Sequence, residues 1–164
     1  MDLLVIRHGI AEERAPSEDD AARRLTRAGE KRIRAVVRGL RSQGWKLDRV
    51  ITSPWLRAAR TAEFFEKLSK SEAIHTDLLT RSPTADLLSL ASETATTKKG
   101  HATAMVGHEP WLGELVSWLA FGDSRFSEGL ALKKGAVAWL EGNLVPGGMT
   151  LRAILPPNVL CELG

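Results

Sequence analysis

Residues Leu3-Leu4-Val5-Ile6 form an uninterrupted apolar run that leads directly into Arg7-His8-Gly9. Short runs of this kind are typical of strands that are buried on both faces of a parallel sheet. Two further runs, residues 49–52 and 103–106, are also rich in apolar residues and also end at a polar motif. In open parallel sheets, ligands bind at the carboxyl ends of the strands. The sequence therefore predicts one site at the edge of a sheet where these three segments end.

The segments between and after these strands predict the rest of the fold. Residues 27–43 place apolar side chains at helical spacing, and Thr26 is a suitable N-cap. Together the elements predict an α/β fold in which residues 1–164 form a single domain, with a mainly parallel central sheet flanked by helices and a C-terminal antiparallel hairpin. The other expected elements are a loop over 10–26, a weak strand near 73–76, helices that begin near Pro54, Pro83 and Pro110, and hairpin strands over 136–140 and 149–154.

Composition and charge restrict the class of protein. The chain has 164 residues and an ordinary apolar fraction of 43%, which suits one domain with its own core. It has no run of about 18 apolar residues, as a membrane span needs, and its start lacks the features of a secretory signal. The single cysteine, Cys161, forms no internal disulfide, which favours a cytoplasmic location. The net charge of +3 is mild and comes without a nucleic-acid recognition motif, so we expect neither a membrane nor a nucleic acid as partner.

Two arginines and two histidines belong to the expected site: Arg7, His8, Arg57 and His108. An arginine offers a planar, permanently charged fork that matches phosphate oxygens, so two of them indicate a dianionic ligand. A neutral histidine nitrogen is a competent nucleophile, and the phosphoramidate that it forms can be hydrolysed in a second step. A second histidine, if protonated, would add positive charge at the phosphate oxygens. These residues therefore indicate phosphoryl transfer.

Three motifs in this arrangement resemble the signatures of a known family. Arg7-His8-Gly9, Ser53-Pro54-x-Leu56-Arg57-Ala58-x-x-Thr61 and Gly107-His108-Glu109-Pro110 are similar to the three signatures of the histidine phosphatase superfamily. The small size of the chain, Leu25-Thr26 before the first helix and the Gly-His-Glu-Pro sequence most resemble the SixA-like phosphohistidine phosphatases. The resemblance covers nearly the whole chain and implies a phosphoglycerate mutase-like fold.

The resemblance implies a role for each matching residue. His8 would accept the phosphoryl group covalently, while Arg7, Arg57 and His108 would bind it and Gly9 would allow close backbone approach. The implied activity is that of a phosphatase without a cofactor or metal, and the sequence shows no clustered metal ligands. The implied substrate is phosphohistidine in a protein, such as a histidine-phosphorylated signalling protein.

The proton donor stays open in the sequence. A leaving group poorer than imidazole needs a proton, and Glu109 is the first candidate because some distant branches of the family carry an acid directly after this histidine. The P–N bond of phosphohistidine is labile, so that substrate can do without a dedicated acid. The other candidates are Glu12, Glu13, Asp77, Asp86 and Glu93.

Two other functions fit the same residues. A small-molecule phosphomonoesterase would use this site on a free phosphate ester. A non-catalytic phosphate-binding or partner-docking module would be expected to lack a site residue, whereas all four are present. Residues 78–100 have room for about one helix, whereas larger relatives select small molecules with long insertions over the pocket. A groove without such a cover would admit a phosphorylated side chain on a protein surface, and it would equally admit several small phosphate esters. The physiological substrate and the oligomeric state are left open.

Overall fold

The computed structural model describes residues 1–14, 19–94 and 101–164. Its strands are β1 (Asp2–Arg7), β2 (Lys46–Thr52), β3 (Ile74–His75), β4 (His101–Gly107), β5 (Val137–Gly142) and β6 (Met149–Leu155). Its α-helices are α1 (Arg27–Ser42), α2 (Leu56–Phe65), α3 (Ala85–Thr94), α4 (Trp111–Phe121) and α5 (Pro157–Glu162), and short 3-10 helices cover Asp20–Ala22, Glu66–Leu68, Asp77–Leu79 and Ser124–Leu130. None of the described helices is both long and apolar enough to cross a membrane.

The strands form one mixed sheet in the order β3-β2-β4-β1-β5-β6. β1 pairs in parallel with β4, and β2 pairs in parallel with both β3 and β4. β5 is antiparallel to β1 and to β6, with which it forms the C-terminal hairpin. The predicted fold class, a mainly parallel sheet flanked by helices with a C-terminal antiparallel hairpin, is therefore confirmed.

β1 is buried on both faces because its alternate side chains enter two different layers of the core. Leu4 and Ile6 pack in the layer that includes α1 and α2, whereas Leu3 and Val5 pack in the layer that includes α3 and α4. All four side chains are fully buried. This double burial explains the uninterrupted apolar run, and it fixes the position of the residues that follow β1 at the carboxyl edge of the sheet.

Helix α5 is an element that the sequence analysis does not predict. It has only six residues, too few to show a helical repeat of apolar side chains. It packs against α1, where a Cβ at Gly39 would lie only 1.9 Å from the carbonyl oxygen of Leu160. The absence of a side chain at Gly39 thus permits this close approach.

The segment predicted as a loop, residues 10–26, has more order than expected. Ala11 and Leu25 form an isolated antiparallel bridge, and the 3-10 helix Asp20–Ala22 lies between them. Residues 15–18 of this segment lie outside the described residues, as do residues 95–100 of the 78–100 connection. The bridge holds the 3-10 helix close to the carboxyl edge of the sheet, where the sequence predicts the site.

Candidate active site

Main-chain hydrogen bonds at the carboxyl edge of the sheet bring the three motifs together. The N–H of His8 donates to the carbonyl oxygen of Gly107 at 3.1 Å, and the N–H of Ser53 likewise donates to β4. Because β4 lies between β1 and β2, the residues that follow these strands become neighbours. The ring centroids of His8 and His108 are 5.1 Å apart, and Arg57 Nε lies 3.2 Å from His8 Nε2.

His8 is buried, and both of its ring nitrogens have a partner. Nδ1 lies 2.7 Å from the carbonyl oxygen of Gly9, which can only accept, so Nδ1 carries the proton and donates it. Nε2 accepts the Nε–H of Arg57 and therefore carries the lone pair. Burial lowers the pKa of His8 to about 3; the hydrogen bond to Gly9 opposes this, and the charges of Arg57, Arg7 and Lys134 add to it. Near pH 7 the ring is therefore neutral, with Nε2 available as a nucleophile.

His108 is also buried, and a serine hydroxyl sets the direction of its ring. Its Nε2 lies 2.8 Å from Oγ of Ser53, and that oxygen accepts the N–H of Trp55 at 3.2 Å. The Ser53 hydroxyl can thus donate to Nε2, which leaves the His108 proton on Nδ1, a buried atom that has no partner among the described residues. Burial, followed by the charges of His8 and Arg57, lowers the pKa of His108 to about 3. The structure therefore favours a neutral, donating His108 over the protonated form considered in the sequence analysis.

Arg7 and Arg57 supply the positive charge of this cluster. Arg57, near the start of α2, is only 3% exposed. Arg7 donates its Nη1–H to the carbonyl oxygen of Leu132 at 2.6 Å, while its buried Nε has no partner among the described residues. Phosphate oxygens would satisfy this N–H and the Nδ1–H of His108. The four predicted side chains thus form a cluster with donors suited to a phosphoryl group.

Gly9 has a packing role as well as a place in the first motif. A Cβ at this position would lie 2.8 Å from Cγ1 of Ile33 in α1. The N–H of Gly9 donates to Oγ1 of Thr61 at 3.1 Å, and the Thr61 hydroxyl donates to the carbonyl oxygen of Arg57 at 2.7 Å. The last residue of the second motif, Thr61, therefore ties α2 to the His8 loop.

Glu109 accepts two backbone hydrogen bonds, which does not support its expected role as proton donor. Its Oε2 accepts the N–H of Gly113 at 3.1 Å, and its Oε1 accepts the N–H of Leu132 at 2.7 Å. Since Leu132 also binds Arg7, Glu109 holds the segment that orients this arginine. The other described acidic candidates have exposed side chains: Glu12, Glu13, Asp77, Asp86 and Glu93. In the described part of the chain, no three His, Cys, Asp or Glu side chains are grouped so that they could hold a metal ion.

Asp20 belongs to this cluster although the sequence analysis gives it no role. Its Oδ2 accepts the Nη2–H of Arg57 at 2.8 Å, its carbonyl oxygen accepts the Nη1–H of Arg57, and its Oδ1 pairs with Nε of Arg23 at 2.9 Å. Burial raises the pKa of Asp20, but the hydrogen bond and charge of Arg57, with the charge of Arg23, outweigh this and hold the pKa below its usual value. No motif marks Asp20 within its polar segment; tertiary structure alone brings it to α2.

Trp55, which is part of the second motif, packs against His108 and Arg57. Its ring centroid is 4.5 Å from that of His108, and the guanidinium carbon of Arg57 lies 4.8 Å from the same indole centroid. Trp111 meets Trp55 edge-on at 6.0 Å. These contacts restrict the orientation of Arg57 and His108.

Comparison with known proteins identifies the family of this chain. Residues 3–81 match the profile of the histidine phosphatase superfamily (branch 1). An uncharacterized protein of Picosynechococcus sp. is 35% identical over 145 residues, which cover 86% of this chain and 85% of that protein. The chain belongs to the histidine phosphatase superfamily.

Solved structures show that this histidine phosphatase is SixA-like. The protein histidine phosphatase SixA, in complex with tungstate, is 26% identical, and the two chains match over their full lengths with a TM-score of 0.77. A phosphoserine phosphatase from Entamoeba histolytica, in complex with 3-phosphoglyceric acid, is 14% identical over 97% of this chain and 98% of its own, with a TM-score of 0.68. That second likeness shows the fold alone. Membership of the superfamily supports a phosphatase activity for this chain.

The two buried histidines make the stability of this phosphatase sensitive to acid. An ordinary histidine has a pKa of 6.5, whereas His8 and His108 have values of about 3 in the fold. Between these values the unfolded chain binds protons that the folded chain excludes, so the free energy of unfolding falls as the pH falls from about 6.5 towards 3. Each pH unit below 6.5 lowers the free energy of unfolding by about 1.36 kcal/mol per histidine, so each of the two histidines contributes roughly 2–3 kcal/mol of the loss down to pH 4.5. Urea unfolding at pH 7.5 and 4.5 should show a smaller loss for His8→Asn than for the wild type; equal losses would contradict this.

Proposed function

We propose that this histidine phosphatase works through a covalent phosphohistidine intermediate on His8 and that its substrate is phosphohistidine in a protein. The observation that carries the proposal is the state of the His8 ring. It is buried and neutral, its Nδ1–H is bound to Gly9, and its lone pair lies on Nε2 beside Arg57. A nitrogen in this state can attack phosphorus without first losing a proton.

The reaction consists of two transfers at Nε2 of His8. In the first, the Nε2 lone pair attacks phosphorus, the P–N bond of the substrate breaks, and its electron pair goes to the leaving imidazole, which takes a proton from solvent. In the second, water attacks the phosphorus of the intermediate, the P–Nε2 bond breaks, and the electron pair returns to His8. The water supplies one oxygen of the released phosphate and both of its protons, and the phosphate exchanges these protons with solvent as it leaves. Throughout, the Nδ1–H bond to Gly9 keeps the ring in one orientation.

Three side chains donate hydrogen bonds to the transferring group, and the two arginines among them also balance its charge. The Nε–H of Arg7 and the Nδ1–H of His108 have no partner among the described residues and can donate to phosphate oxygens. Arg57 turns its Nε–H from His8 to a phosphate oxygen, because a lone pair that accepts a hydrogen bond cannot attack phosphorus at the same time. Donors fixed in a buried site stabilise the charge that develops on the oxygens. We propose that this set suffices without a metal ion.

The absence of a poised acid among the described residues favours phosphohistidine over phosphate esters. Both oxygens of Glu109 accept backbone hydrogen bonds, and the other described acidic candidates are exposed. Asp20 is held as a carboxylate by Arg57 and Arg23, which lower its pKa, so it has no proton to give. An alkoxide is a far poorer leaving group than imidazole and needs a proton as it departs. The likeness to a protein histidine phosphatase over the full length of both chains supports the same substrate class.

A small-molecule phosphomonoesterase is the second candidate. The observation that favours it is the shared fold with a phosphoserine phosphatase.

We also propose that residues 1–164 form one histidine phosphatase domain, which the continuous sheet with β1 inside it supports. A cytoplasmic location is a further part of the proposal and is supported by the single, unpaired cysteine.

The substrate is tested by phosphate release from a histidine-phosphorylated protein and from p-nitrophenyl phosphate, with the wild type and His8→Ala side by side. We expect a kcat/KM for the phosphoprotein that exceeds the value for the ester, and loss of both activities in the variant. A higher kcat/KM for the ester would favour the phosphomonoesterase. Equal background release from both proteins would favour a non-catalytic phosphate-binding module and contradict the proposal.

A further inference from the structure

We propose that Asp20 is a positioning residue that holds Arg57 against His8 and keeps it in place during phosphoryl transfer. The proposal rests on the function proposed above and assigns a role to a residue outside the three motifs. It starts from an unusual feature of the site: the most buried arginine shares its N–H groups between the nucleophile and a carboxylate.

Three of the five N–H bonds of Arg57 are used in these contacts. Nε–H donates to Nε2 of His8 at 3.2 Å, Nη2–H donates to Oδ2 of Asp20 at 2.8 Å, and Nη1–H donates to the Asp20 carbonyl oxygen. Because the two contacts to Asp20 lie on the η nitrogens, they can persist when Nε–H moves from His8 to a phosphate oxygen. Two further N–H bonds on the η nitrogens then stay available for the phosphate. Asp20 therefore holds the η nitrogens of Arg57 in place while the Nε–H changes its partner from His8 to the phosphate.

The two partners of the Arg57–Asp20 ion pair differ in their exposure to solvent. The Arg57 side chain is 4% exposed, so a guanidinium without a counter-charge would be costly at this position. The Asp20 side chain is 32% exposed and pairs on its other oxygen with Arg23. The carboxylate thus reaches in from the surface and is held there by a second arginine. This geometry suits a group that orients Arg57 and does not itself bind the phosphate, which it would repel.

The neighbouring Asp19 provides a matched control. Its Oδ1 caps the same 3-10 helix by accepting the N–H of Ala21 at 3.0 Å. Asp19→Ala therefore removes one negative charge and weakens the same segment without removing a contact to Arg57. Asp20→Ala removes one charge together with the carboxylate contacts to Arg57 and Arg23, and it keeps the main-chain contact to Arg57. A difference between the two variants therefore measures the loss of the Asp20 carboxylate contacts.

The experiment combines kinetics with ¹⁵N NMR of the His8 ring. For Asp20→Ala we expect kcat to fall about 10- to 100-fold while KM changes by less than about threefold, because only the geometry in the transition state is lost. Asp19→Ala should keep both values within about twofold of the wild type. Without any substrate, the Nε2 resonance of His8 should shift in Asp20→Ala and not in Asp19→Ala. Asp20→Asn keeps the acceptor oxygen without the charge, so its kcat and its Nε2 resonance should lie between those of Asp20→Ala and the wild type. This variant replaces Asp20→Ala in the test if Asp20→Ala does not fold.

Equal effects of the two alanine variants, or an unchanged His8 resonance together with an unchanged kcat in Asp20→Ala, would overturn the positioning role. The NMR measurement needs no turnover. If the wild type released no phosphate from any substrate, the proposed function would fail, and the resonance alone would decide whether Asp20 positions Arg57.

Discussion

His8→Ala will lower the rate of phosphate release by at least about 1,000-fold, because it removes the only atom that this account gives to the covalent step. His108 is no substitute, because its Nδ1 atom is expected to carry a proton and its Nε2 is bound to Ser53. The variant should still bind inorganic phosphate, since Arg7, Arg57 and His108 are retained.

His101→Ala is a suitable control for this variant. His101 lies at the opposite end of β4, where Nδ1 contacts Asp48 Oδ1 at 2.7 Å. The His101→Ala variant also loses a histidine side chain, but at the end of the sheet away from the site, so its kcat should stay within about threefold of the wild-type value. Steady-state phosphate release, with circular dichroism to confirm folding, measures both. Substantial turnover by folded His8→Ala would mean that another group accepts the phosphoryl group.

Arg57→Gln is expected to cost about 100- to 1,000-fold in kcat/KM, the usual effect of removing one donor from a charge-stabilising site. Two losses combine. The phosphate loses a buried cation, and Asp20 loses one of its two arginine partners, so a carboxylate paired only with Arg23 is left at the edge of an anion site. Arg57→Lys should restore only part of the activity, because an ammonium group restores the charge but cannot contact His8, Asp20 and the phosphate in one plane.

Arg60→Gln is the matched control on the same helix. Arg60 pairs with Glu30 and Glu63, away from the two histidines. We expect this variant to keep nearly all of the wild-type kcat/KM, since exposed ion pairs of this kind contribute little. Measured with the phosphoprotein and with tungstate as an inhibitor, Arg57→Gln should lose both turnover and tungstate binding. If Arg57→Gln and Arg60→Gln behaved alike, Arg57 would have no special role at the phosphate.

The parts of the fold that the sequence predicts well are those in which one physical effect dominates. The run Leu3–Ile6 is apolar at every position because both faces of β1 are buried, whereas a strand with one face in water would alternate apolar and polar residues. Thr26 is identifiable as an N-cap because its hydroxyl satisfies the N–H of Gly29, a local interaction. The strand ends are also identifiable from the sequence, and the parallel pairing of β1 with β4 then brings His8 and His108 together.

The parts that the sequence does not predict depend on contacts between distant segments. Asp20 reaches Arg57 across 37 positions of the chain, and its own neighbours carry no pattern that marks it. Glu109 has the right chemistry for a proton donor, but one of its two backbone partners, Leu132, lies 23 positions away along the chain and is brought to it only by tertiary packing. The neutral state of His108 is likewise a consequence of burial, which the motif alone does not specify.

Trapping the intermediate shows whether His8 carries the phosphoryl group. The wild type is mixed with a ³²P-labelled histidine-phosphorylated protein, quenched in alkali within milliseconds, digested, and the labelled peptide is sequenced. We expect alkali-stable, acid-labile label on the peptide that contains His8, and none in His8→Ala. Label on another residue, or phosphate release with no labelled enzyme at any quench time, would contradict it.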